Sequence, residues 1–186
     1  KQTQEIQVYK VLKPYLYVVL FNLNRPLFRD IEVRQALNLA IDKKKLVDDL
    51  LEGMGQEAAG PIFPRSWAYK ADLKTYPYDP RQAQKLLSQA GWIDRNGDHI
   101  LDKDGKPFRF ILITNQGDDL KNRVALSLQQ NLWEIGIQMD VQSVPTSARR
   151  LIDQREFDAV FMDLYCNRDP DFYSYAYWHS SQRDNG

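Results

Sequence analysis

Phe108-Arg109-Phe110-Ile111-Leu112-Ile113 is a nearly continuous apolar run bounded by Pro107 and Asn115, the pattern expected of a strand covered on both faces. Beyond it, Leu120, Val124, Leu128 and Leu132 recur every four residues, with Ile135 next and Gly136 as a stop, which predicts a long amphipathic helix. Ile137 to Val141 then alternates as a strand, Thr146 to Arg155 reads as a helix, and Phe157 to Leu164 reads as another strand. Strand, helix, strand, helix, strand is the order of a largely parallel sheet with crossover helices.

Upstream of that run, Tyr17 to Leu20 is a short β-branched and aromatic segment broken by Asn24, Arg25 and Pro26. Asp30 is placed to cap a helix over Glu32 to Ile41, in which Val33, Ala36, Leu37, Ala40 and Ile41 share one face. A second helical segment follows from Lys43 to Leu51, and Gly53 to Asp72 then mixes Gly, Pro and aromatics without a period, as a long surface excursion does. Asp79-Pro80 gives a cap and a first-turn proline to a helix through Ala83 to Ala90, which Gly91 closes. At the start, Ile6 to Val11 reads as a further strand, and the chain contains no internal repeat or low-complexity segment.

The 186 residues, 43% hydrophobic and 27% charged, suit one globular domain or one large lobe. Lysine plus arginine equals aspartate plus glutamate at 25 each, so no charge excess points to nucleic acid or an anionic membrane. No apolar run approaches the roughly 20 residues needed to span a bilayer, and Lys1 to Gln7 lacks the form of a secretory signal. Cys166 is the only cysteine, which excludes an internal disulfide, and His99 and His179 lack the spacing of zinc ligands.

Several ordered motifs together resemble the extracellular solute-binding proteins, family 5, which serve ABC importers of oligopeptides, dipeptides and related solutes. They are Phe21-Asn22-Leu23-Asn24-Arg25-Pro26, the Val33-Arg34-Gln35-Ala36-Leu37 helix, Ile41-Asp42 with its basic run, Gly60-Pro61-Ile62-Phe63-Pro64, Tyr78-Asp79-Pro80, and Gly91-Trp92 before an Asp/Gly-rich turn. The resemblance implies an α/β fold with a mixed, mainly parallel sheet flanked by helices, the C-terminal lobe of a type II periplasmic-binding-protein-like fold. It implies that residues 1–186 are a single partial domain, with the N-terminal lobe and a C-terminal return segment outside it. The implied protein is not an enzyme. It is a monomeric receptor, periplasmic or extracellular and open to lipoprotein anchoring, whose partners are a peptide or similar small solute and an ABC permease.

Tyr165-Cys166-Asn167-Arg168-Asp169 follows the last predicted strand, where α/β sheets tend to bind ligands. A tyrosine platform, an arginine counter-charge and an aspartate amine clamp fit that place, and an Asp169-Pro170 helix cap is compatible with them. In peptide-binding relatives an aromatic residue is followed closely by an Asp that pairs with the ligand's amino terminus. Either Arg168 occupies that place here, favouring an anionic group, or Asp169 fills it after a one-residue shift.

A second reading centres on Asp94, Asn96, Asp98 and Asp102, whose alternating oxygens suit calcium. Against an EF-hand, glycine stands at the fourth position rather than the sixth and Gly105 takes the place of the bidentate glutamate. A polar hairpin built on Asn96-Gly97 and Asp104-Gly105 explains the same residues. Calcium is therefore the only cofactor the sequence suggests, and a calcium-binding interaction module the alternative function. Gly53-Met54-Gly55 lacks the strand and helix of a dinucleotide fingerprint and reads as a helix end. No nucleophile motif or P-loop is present, which leaves a hydrolase lobe with its catalytic partners elsewhere as a distant third reading.

Overall fold

A computed structural model describes residues 9, 13–145, 150–166, 169, 175, 178, 179 and 181. Four strands form the main sheet in the order β1-β6-β4-β5. These are β1 (Tyr15–Phe21), β4 (Arg109–Asn115), β5 (Gln138–Val144) and β6 (Ala159–Tyr165). Strand β4 runs parallel to both β5 and β6, while β1 lies antiparallel along β6. The sheet is thus mixed and mainly parallel, as the alternation of elements predicts.

Helices α1 (Ile31–Leu39), α2 (Lys43–Leu50), α3 (Pro80–Gln89), α4 (Asp119–Trp133) and the short α5 (Arg150–Asp153) accompany the sheet. Asp42, Asp79 and Asp118 each accept a hydrogen bond from a first-turn amide of α2, α3 and α4, at 2.9 Å in all three cases. Asp30 stands at the N-cap of α1 but makes no capping bond; its carboxylate meets Lys103 Nζ at 3.4 Å. Gly136 ends α4 at φ +84°, and a β-carbon there would sit 2.9 Å from the His99 carbonyl oxygen. Only glycine fits both requirements.

One core joins Phe28, Val33, Ala36 and Leu37 to Leu87, Trp92, Phe108, Phe110 and Leu112, and to Leu128, Leu132 and Met139. Phe28 meets Phe110 edge-on, with centroids 5.2 Å apart. Arg109 and Ile111 remain exposed, so β4 is not covered on both faces along its whole length. A continuous apolar run does not by itself say which of its residues a neighbour covers. Similarly, the buried stripe of α4 is Lys121, Ala125, Leu128 and Leu132, rotated from the expected one so that a lysine lies at its N-terminal end.

The Phe21 to Pro26 motif proves to be a structural latch. Asn22 is buried, donates to the carbonyls of Arg155 and Phe157 at 2.9 and 2.8 Å, and accepts from the Asn24 amide at 3.0 Å. Arg25 pairs with Asp158 at 2.9 Å, and the second Asp158 oxygen accepts from the Ile111 amide at 3.1 Å. These bonds fix where β6 starts between β1 and β4. Apart from Tyr9, the expected strand over Ile6 to Val11 lies outside the described residues, as do the first residues of the expected Thr146 helix.

Candidate functional site

Because β4, β5 and β6 are parallel, their carboxyl ends emerge on one edge of the sheet, and antiparallel β1 brings its first residue to that edge. Tyr15 is paired with Tyr165 and Tyr17 with Asp163 in the β1–β6 register. With period-two alternation, all four project from one face. The Tyr15 and Tyr165 rings meet edge-on, with centroids 5.6 Å apart. Tyr15, Tyr17 and Tyr165 keep 50%, 44% and 48% of their surface exposed, an unusual amount for large side chains on neighbouring strands.

The turn between β4 and α4 meets the same face of β6 through Lys121. The Gln116 amide donates to the Val144 carbonyl at 2.8 Å, joining this turn to the end of β5. Asp118 then caps α4, and its carboxylate lies 3.4 Å from Lys121 Nζ. The same ammonium donates to Asp163 of β6. Burial opposes the positive charge of Lys121, but its hydrogen bond to Asp163 and the charges of Asp163 and Asp118 outweigh that and hold its pKa above the ordinary lysine value. Tyr17 is pushed up by burial and by the nearby charges of Asp163 and Asp118, so its phenol stays protonated. Three aromatic rings beside a paired, partly open carboxylate cluster make a surface suited to recognition.

Tyr165 and Cys166 stand at the expected strand end. The Cys166 amide donates to the Pro14 carbonyl at 2.7 Å and its thiol contacts the Pro61 carbonyl at 3.5 Å, which ties the Gly53 to Asp72 excursion to this edge. Burial pushes the thiol pKa up, away from nucleophilic use. Asp169 is exposed; Asn167 and Arg168 lie outside the described residues. The sequence alone does not mark Tyr15, Tyr17, Asp118 and Lys121 as site residues, whereas Asp163 opens the stretch that ends the last predicted strand. Their signal was the count of residues back from the strand end, usable only once the register was known.

The second cluster has a structural occupation. Asp94 accepts from the amides of Gly97 and His99 at 2.8 and 3.0 Å, Asn96 from that of Asp98 at 3.1 Å, and Asp98 from that of Ile100 at 2.9 Å. Asp102 accepts from the Arg95 amide at 3.0 Å and from its guanidinium at 2.8 Å; these bonds lower its pKa. The loop is closed by pairing of Ile93 with Asp102 and by the hairpin of β2 (Asp102–Lys103) and β3 (Lys106–Pro107), turned at Asp104-Gly105. His99 Nε2 bonds the Trp133 carbonyl at 2.6 Å, so the loop grips the end of α4. Among the described residues, no group of three or more His, Cys, Asp or Glu side chains converges to hold a metal ion.

A mixed, mainly parallel sheet flanked by helices is the fold of periplasmic binding proteins, and solved structures of that class superimpose on it. The oligopeptide-binding protein AppA of Bacillus subtilis, solved with a nonapeptide, matches 93% of this chain at TM-score 0.85 and 39% identity, over 35% of its own chain. NikZ of Campylobacter jejuni, solved with Ni(L-His), matches 91% at TM-score 0.84 and 34% identity, over 34% of its own chain. In sequence, AppA is 40% identical over 179 residues, 92% of this chain and 32% of its own length. The chain belongs to the bacterial extracellular solute-binding proteins, family 5, matching the middle portion of that family over residues 1–185. It spans about a third of the length of these relatives.

Proposed function

We propose that the chain is one lobe of the substrate-binding component of an ABC importer, and that its solute is a peptide. In this reading residues 1–186 form most of the C-terminal lobe, and a second lobe in the complete protein closes over the crevice at the strand ends. The supporting observation is the tyrosine rim of Tyr15, Tyr17 and Tyr165 beside the Lys121 carboxylate cluster, on a chain 40% identical over 179 residues to an oligopeptide-binding relative. Apolar ring faces hold a ligand whatever its side chains, while carboxylates bias its orientation by charge.

Closure shifts toward the bound form only through contacts that the open form lacks, so the exposed rings are what the ligand and second lobe bury. The receptor acts outside the cytoplasm as a monomer, delivers the solute unchanged to a permease, and is held near it by a lipid anchor. No described helix is long and apolar enough to cross a membrane.

Replacing Tyr165 by alanine in the complete protein tests this reading. Titration with short synthetic peptides, followed by tryptophan fluorescence, is expected to show binding to the parent and a loss of about 1–3 kcal/mol in the variant, the range of a buried aromatic contact. Equal affinity in both would remove this crevice as the binding site.

A further inference from the structure

We propose that Lys121 is a positioning residue for the ligand site, a buried cation that locks the β4–α4 turn to β6 so that the tyrosine rim is held in one geometry. The inference rests on the binding function proposed for this crevice. Lys121 keeps only 6% of its side-chain surface exposed, whereas Asp118 and Asp163 keep 38% and 34%. The ammonium is therefore inside and the carboxylates face the open side.

A leucine would complete the apolar stripe of α4 without the desolvation cost of a buried ammonium. What the lysine adds is two directed contacts, one to the turn and one to the strand. Asp163 lies opposite Tyr17, and Tyr165 stands two residues further along the same face, opposite Tyr15. Holding Asp163 thus holds the strand end that carries Tyr165, and through the pairing it holds Tyr15. Asp118 also caps α4, so the same strut sets how that helix begins relative to β6. Few contacts reach α4 from β6 otherwise, because β4 lies between β6 and β5.

The test uses the complete protein with short synthetic peptides of mixed sequence, titrated by calorimetry, with circular dichroism and thermal melting to establish the folded fraction. Lys121→Met removes the strut, and Lys121→Arg keeps charge and reach. Asp118→Asn removes the turn-side charge while retaining a capping oxygen, since Asn caps as well as Asp. Lys121→Met is expected to weaken binding about tenfold, and Asp118→Asn by about threefold, within the range of couplings transmitted through packed elements. Lys121→Arg is expected to recover most of the loss.

If Lys121→Met does not fold, Asp118→Asn carries the test alone. Unchanged affinity of the folded Asp118→Asn protein, whatever its melting temperature, overturns the proposal. Parent protein that binds none of the peptides overturns the proposed function and this inference with it; parent binding with undiminished variants overturns this inference only.

Discussion

Thr114 is fully buried near the carboxyl end of β4, and its hydroxyl has no hydrogen-bond partner among the described residues. A buried polar group without a partner keeps its desolvation cost and returns nothing. Thr114→Val preserves the shape of the side chain and removes the hydroxyl, so chemical denaturation is expected to show a gain of about 1 kcal/mol. A loss of stability would contradict that account of the site. Lys121 shows what sequence reasoning misses at this scale. Its place at the end of an apolar stripe was marked by Leu120 and Val124, one position out of register, because a lysine is not scored as buried. Its carboxylate partners come from a turn and a strand that no local pattern links to it.

Among the elements, the helices and strands were largely legible, for reasons the structure makes plain. Asp79 caps as its position indicates, Gly91 and Gly136 take up positive φ at helix ends, and β4, β5 and β6 form where their apolar patterns place them. Asp30 departs from expectation because Lys103, distant in sequence, takes its carboxylate. The Asn-rich turn after β1 was legible as a motif but not as a latch, since its partners lie at the entrance to β6. Asn22→Ala removes three hydrogen bonds from a buried position and is expected to cost about 2 kcal/mol. Urea unfolding of the complete protein measures it, and a change within error would show that the latch does not hold β6 in place.

For the whole molecule, fold and family were readable because ordered motifs run through most of the chain, each tied to a structural task. The site was readable only in part. The rule that ligands gather at the carboxyl ends of parallel strands led to Tyr165, whereas Tyr15 and Tyr17 needed the antiparallel pairing of β1 with β6, a contact between distant parts of the chain. The Asp94 to Asp102 loop carries calcium-like spacing, yet its oxygens are spent on its own amides and on Arg95, which explains the same residues as a clasp on α4.

Native mass spectrometry of the complete protein, purified gently enough to retain bound solute, tests the peptide-receptor account most directly. The account predicts a ladder of adducts whose masses match short peptides and which disappear on partial unfolding. A single non-peptide adduct, or a protein that stays bare when short peptides are added, would contradict it.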